Sequence, residues 1–278
     1  MQPLIINLAP TGLVPTRNQS RHVPLSVQEI VDDVVRCAGI GASMVHLHAR
    51  DADGLPCQEP AIYRDIISGI RDQCPALVIV TTTSGRLAPE VEQRAAPLYL
   101  TGGAKPDMAS LTLGSMNFST TASINAPGTI MRLAEIMQER GVKPELEVFD
   151  VGMVNVAKIL IGKGLLTPPY YFNILLGNPA TSQLNLLQLG AIVADLPPGS
   201  IWSLAGLGRF QNRANGLGVV MADGVRTGLE DNLWLDDERA VPATNAALVQ
   251  RIAAQAAALR RPLSSHAQTR AALGLGAP

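Results

Sequence analysis

The feature that most constrains this chain is an alternation along its whole length: short β-branched or apolar runs, each followed by a longer stretch with helical spacing. Repeated strand–helix units of this kind build a parallel sheet covered by helices. Candidate strands are Leu4–Ala9, Ser43–His48, Leu77–Thr82, Met108–Thr112, Leu146–Phe149, Tyr171–Leu175, Ile201–Ala205 and Gly224–Thr227. Between them the spacing predicts helices over 26–38, 60–73, 127–140, 152–163, 182–195, 209–221 and 245–260. Ser26 with Glu29 forms a capping-box pattern at the first, and Pro127 stands where proline is tolerated, at a helix start. Eight strands in 278 residues fit one closed α/β barrel, the (β/α)8 TIM barrel, and predict a single catalytic domain over 1–278. An open doubly wound sheet shares the alternation, but no G-x-G-x-x-G follows the first strand, so its dinucleotide-binding form loses its main support. The Ala-rich tail over about 262–278 reads as a short closing helix or as an arm onto a neighbouring subunit.

Composition narrows the partners. Hydrophobic residues at 47% against 16% charged allow a large core and give no sign of disorder. A net charge of -1 without a Lys/Arg cluster argues against nucleic acid, and no apolar run is long enough to span a membrane. Met1–Pro10 has no basic leader, so a cytoplasmic protein acting on small molecules is expected. Cys37, Cys57 and Cys74 are odd in number and lack C-x-x-C spacing, which fits reduced thiols.

In a barrel, chemistry gathers where strands end, at the C-terminal face. His46 and His48 lie two apart on a strand and so enter the mouth together. Such a pair suits a divalent transition metal, most simply zinc, or a buried hydrogen-bonded couple. A third ligand has to be a carboxylate, because His22 and His266 lie in an early loop and in the tail. Glu230, in Arg226-Thr227-Gly228-Leu229-Glu230-Asp231-Asn232 after the eighth strand, can complete the set; a solvated charged loop is the plainer alternative. Further polar residues cluster at strand ends: Thr81 to Gly85, Ser110 with Thr112, and Glu145 with Glu147. The hydroxyls serve either to bind substrate oxygens or to cap helices, and the glutamates need an interior partner. The four lysines, Lys105, Lys143, Lys158 and Lys163, all miss the strand ends, which disfavours Schiff-base chemistry.

These residues, in this order, resemble the β-keto acid cleavage enzymes. The likeness runs from Leu4-Ile5-Ile6 and Thr11-Gly12 through His46-Leu47-His48, Lys105-Pro106-Asp107-Met108-Ala109-Ser110-Leu111 and Pro144-Glu145-Leu146-Glu147-Val148-Phe149 to Ala205-Gly206-Leu207-Gly208-Arg209 and Gly228-Leu229-Glu230-Asp231-Asn232. The resemblance implies a TIM barrel, zinc on His46, His48 and Glu230, and conversion of a 3-keto acid plus acetyl-CoA into acetoacetate and a new acyl-CoA. It implies that Asp231 removes the C2 proton, that Arg226 orients Asp231, and that Thr82 assists that pair. Gly85, Ser110, Thr112 and Glu147 match substrate-pocket positions, and the resemblance extends to a homotetramer. For the co-substrate CoA, Gly206, Gly208 and Arg209 offer backbone and a cation to phosphates, or simply a tight loop with a surface arginine.

Two positions bear on the substrate. Val14 stands where a family member acting on an amino-keto acid has a glutamate, so a neutral or apolar distal group is expected here. Arg86, if turned inward, would instead suit a second carboxylate; Val14, directly after the first strand, is taken as the better guide. The competing readings are a CoA-independent metal-dependent aldolase or hydrolase, and a non-catalytic barrel that binds metal or keto acid.

Overall fold

The computed structural model describes residues 2–86 and 88–276; Met1, Leu87, Ala277 and Pro278, the last two ending the predicted tail, lie outside the described residues. Eight parallel strands close into a barrel: β1 (Ile5–Leu8), β2 (Met44–Leu47), β3 (Val78–Thr81), β4 (Met108–Thr112), β5 (Lys143–Val148), β6 (Tyr170–Leu176), β7 (Ser200–Gly206) and β8 (Gly224–Thr227). Each pairs with its neighbours in sequence, and β1 pairs with β8 to close the ring. All eight fall on the runs expected from sequence. β5 begins earlier, at Lys143, because Lys143 N–H donates to Asp107 O and Pro144 sits near the strand start, where its missing donor costs little.

The connecting helices are α1 (Val27–Ile40), α2 (Pro60–Gln73), α3 (Val91–Ala95), α4 (Pro127–Arg140), α5 (Val151–Gly162), α6 (Leu186–Asp195), α7 (Gln211–Met221) and α8 (Asn245–Ala258). Local chemistry sets their ends. Ser26 and Glu29 form the expected capping box on α1, Pro127 opens α4, and Gly141 ends α4 in the left-handed conformation. α6 starts four residues later than expected. The Asn185 side chain caps it by accepting from Gln188 N–H, while Ser182 is held in the preceding loop by donating to Phe149 O. The short α3 has no legible amphipathic signal and was not anticipated.

Strand periodicity of two divides the side chains. Val45, Leu47, Ile79, Leu111, Leu146, Val148, Leu204 and Val225 point outward and pack against helices in two large apolar clusters. Inward, Ile5, Met44, Val78, Val80, Met108 and Tyr171 fill the lower barrel. Above them the inward positions turn polar, with Asn7, His46, Ser110, Glu145, Asn173 and Ser203 all buried. The barrel is thus a packed plug below and a polar chamber above.

The tail closes the lower end. Leu4 N–H donates to Pro262 O, Ser264 N–H donates to Leu4 O, and α9 (His266–Ala272) follows, with Arg270 bonded to Asp107. Leu273 packs into the lower apolar plug and is fully buried. Leu273→Ala should therefore cost about 2–5 kcal/mol in a denaturant unfolding experiment. A loss below about 1 kcal/mol would place the tail outside the cooperative core.

Candidate active site

The C-terminal mouth opens into a cavity of about 490 Å³, within the range that holds small ligands. His46 rises into it from β2, His48 from just past the end of that strand, and Arg226 from β8. Glu230 and Asp231 arrive on the tight turn after β8, where Gly228 is obligatory: a Cβ there would stand 1.9 Å from Ala9 O. The turn thereby lies against the end of β1, and Glu230 N–H donates to Ala9 O.

The two imidazoles face each other, Nε2 to Nε2, at 3.2 Å, and His48 Nε2 is 3.3 Å from Glu230 Oε1. One ligand atom from each of His46, His48 and Glu230 lies within 4.8 Å of the other two. Spacings near ~3.3 Å are what nitrogens at zinc-ligand distance around one tetrahedral ion show. His46 Nδ1 meets Glu145 Oε2 at 2.6 Å, which assigns the Nδ1 proton to that bond and leaves Nε2 to face the cluster centre. Glu145 in turn accepts from Asn7 Nδ2 at 2.7 Å and Asn173 Nδ2 at 3.3 Å. His46, Glu145 and Glu147 form a second grouping of ligand type, but the 2.6 Å contact marks Glu145 as the orienting partner of His46.

Electrostatics point the same way. Glu147, Glu230 and Asp231 converge on one buried guanidinium, Arg226, while Glu145 is buried against His46, an accumulation of carboxyl groups that a divalent cation offsets. Burial pushes the Glu147 and Asp231 carboxyls up, and neighbouring carboxylates add to this. Burial alone would raise Glu230 too, but Arg226 and both histidines outweigh it and hold Glu230 well below the ordinary range. Burial lowers His48; it opposes the rise of His46, which Glu145 brings about. One buried oxygen, Glu230 Oε2, has no hydrogen-bond partner among the described residues. The donor set fits a divalent ion.

Arg226 grips Asp231 with two bonds, Nε to Oδ2 at 2.9 Å and Nη2 to Oδ1 at 3.1 Å, and also meets Glu230 Oε1 at 2.7 Å. Its Nη1 lies 3.6 Å from Glu147 Oε1, while Glu147 Oε2 accepts from Thr112 at 2.6 Å. Thr82 lines the cavity, and its hydroxyl accepts from Ser84 N–H. Val14 lines the rim and is 58% exposed.

Other expected site residues sit behind the cavity wall. Ser110 Oγ accepts from Thr83 N–H at 3.1 Å, so it braces the loop after β3. Gly85 lies against Arg94, whose Nη1 would be 2.5 Å from an added Cβ. Gly206 is needed for packing, since a Cβ there would fall 2.4 Å from Phe210 O. Gly208 and Arg209 do line the cavity, but Gly208 N–H is committed to Asp231 O at 2.7 Å and Leu207 N–H to Leu176 O. The Gly208 amide therefore anchors Asp231, and the Arg209 side chain lines the cavity as a cation for an anion.

Several participants were not foreseen. Asn7 was detectable in principle, as the polar inward residue two after Ile5 on a strand. Arg239 and Phe118, which also line the cavity, come from loops with no local pattern. Arg50 donates to Gly12 O at 2.6 Å and Pro15 O at 2.9 Å, tying down the loop that carries Val14. Gly12 itself, at φ 66°, presses on the carboxylate of the candidate metal site: a Cβ would lie 2.4 Å from Glu230 Cγ. Gly12→Ala is expected to weaken divalent-metal affinity about 10- to 100-fold, because the added methyl pushes the Glu230 side chain from its place. Chelator competition measures this, and unchanged affinity would contradict the placement of Glu230.

A parallel eight-stranded barrel whose mouth joins a candidate metal site to a guanidinium–carboxylate pair defines a TIM-barrel enzyme acting on a small molecule. The chain matches the beta-keto acid cleavage enzyme family over residues 3–275 and belongs to it. It is 34% identical to a 3-keto-5-aminohexanoate cleavage enzyme of Fusobacterium nucleatum, over 99% of both chains. It is 35% identical to a 3-oxoadipate:acetyl-CoA acetyltransferase of Cupriavidus necator, over 99% of this chain and 95% of that protein. Among solved structures, the apo structure of ObcA matches with a TM-score of 0.82 at 22% identity, over 92% of this chain and 66% of that one, a likeness of fold alone. No helix among the described residues is long and apolar enough to cross a membrane.

Proposed function

We propose that this protein condenses a 3-keto acid with acetyl-CoA and releases acetoacetate and the acyl-CoA of the remaining carbons. The observation that carries this reading is the Asp231 carboxylate, buried and held two-pronged by Arg226, beside a His-His-Glu cluster in one cavity. His46, His48 and Glu230 would hold zinc or a similar divalent ion, which when bound supplies Lewis acidity toward substrate oxygens. Asp231 takes a proton from C2, and the upward pull of burial on its carboxyl favours that acceptance. Arg226 fixes the position and plane of the Asp231 carboxylate through both oxygens, and Thr82 lines the same space. C2 then bonds to the acetyl carbonyl carbon as the CoA thiolate leaves. The thiolate adds to C3 of the keto acid, the original C2–C3 bond breaks, and C2 recovers its proton from Asp231. No lysine among the described residues borders the cavity, in keeping with a route that has no Schiff base.

Arg209 and Arg239 line the β7–β8 side of the mouth and suit the phosphates of CoA. The relatives' printed substrates differ at the distal end, an amine in one and a second carboxylate in the other, so family membership leaves that end open. Val14 offers nothing to pair with an ammonium group. Exposed Leu186, Leu187, Val220 and Met221 support self-association as part of the same reading. The test is a panel of 3-keto acids with the purified protein, with and without acetyl-CoA. Acetoacetate only when acetyl-CoA is present is expected; equal turnover without it would indicate an aldolase or hydrolase.

A further inference from the structure

We infer that Arg86 reads a carboxylate at the distal end of the keto acid, making the substrate a 3-keto dicarboxylic acid. This rests on the reaction proposed above. Arg86 turns inward: it lines the cavity, and its guanidinium carbon stands 3.6 Å above the centre of the Phe118 ring. Its Nε is buried with no hydrogen-bond partner, and no carboxylate among the described residues lies within ion-pair distance of it. The nearby acids are otherwise engaged, Glu147 by Thr112 and Glu230 by Arg226. A half-buried guanidinium without an anion is costly, and a ligand carboxylate is the group that relieves it.

The position is also built. Arg94, buried behind the wall, donates from Nε to Thr83 O at 2.7 Å and from Nη2 to Asn125 Oδ1 at 2.6 Å. Gly85 lies flat on that guanidinium, which fixes the backbone leading into Arg86. In the ring, β3 stands four strands from β7, so Arg86 faces the cavity from the side opposite Arg209. The phosphates of CoA and a distal carboxylate thereby have separate cations. Val14 and Arg86 agree in refusing a cation; Arg86 shifts the expected distal group from neutral to anionic.

The test uses a matched six-carbon pair, 3-oxoadipate and 3-oxohexanoate, which differ at the terminal carbon, each with saturating acetyl-CoA. The wild-type protein is expected to prefer the dicarboxylate by about 10- to 100-fold in kcat/KM. Arg86→Gln should collapse that ratio through the KM of the dicarboxylate, with Arg86→Lys restoring part of it and the KM of acetyl-CoA unmoved. A wild-type preference for the monocarboxylate, or none, overturns the inference even if the variants fail to fold. So does an Arg86→Gln effect confined to the KM of acetyl-CoA. Turnover of 3-oxohexanoate would leave the acetyl-transfer reading standing in those cases, whereas acetoacetate from neither acid would remove both.

Discussion

His48→Ala is expected to abolish tight binding of a divalent ion to the folded protein and to lower kcat/KM by more than about 1,000-fold, several kcal/mol of lost charge stabilisation. The fold should survive, because His48 lies beyond the end of β2 and its ring contacts are His46 and Glu230 rather than the apolar layers. His46→Ala should behave alike and also strand Glu145, a buried carboxylate that loses its imidazole partner. Glu145→Gln keeps the shape and only weakens the grip on the His46 ring, so a loss of about 10- to 100-fold in metal affinity is expected. Elemental analysis after gel filtration measures the bound ion. Full metal content in His48→Ala would show that these three residues are not the ligands.

The second large effect concerns the base. Asp231→Asn preserves size while removing the charge that Arg226 holds, and Arg226 retains Glu230 and Glu147 as partners. The chain should fold and bind a divalent ion as tightly as the wild type, yet kcat should fall by about 100- to 10,000-fold. Exchange of the C2 hydrogens of the keto acid in D2O, followed by NMR without acetyl-CoA, isolates the step. The wild-type protein should speed this exchange well above buffer, and Asp231→Asn should not. Rapid exchange in the variant would assign the proton transfer to another group.

The barrel was legible because its outward strand faces are continuous apolar rows and its inward faces switch to polar residues two positions apart. His46 with His48, and Glu145 with Glu147, display that switch in the sequence itself. Helix starts were readable where a side chain caps locally, as at Ser26, and misplaced where a distant contact decides, as at Ser182. The cluster at β2 and β8 was legible as a set of candidates, since β8 closes onto β1 beside β2. The cavity wall was not. Whether Arg86 faced solvent or substrate depended on Arg94 and Phe118, residues 8 and 32 positions later, brought there by tertiary packing. In the glycine-rich loop after β7, the Leu207 and Gly208 amides bond Leu176 and Asp231, contacts without a local signature.

The most direct measurement of the central claim follows one carbon. With acetyl-CoA carrying 13C at its carbonyl and an unlabelled 3-keto acid that the protein turns over, bond formation from C2 to the acetyl carbon places the label at C3 of acetoacetate and leaves the new thioester unlabelled. Label found in free acetate or in the new thioester, with unlabelled acetoacetate or none, would contradict it.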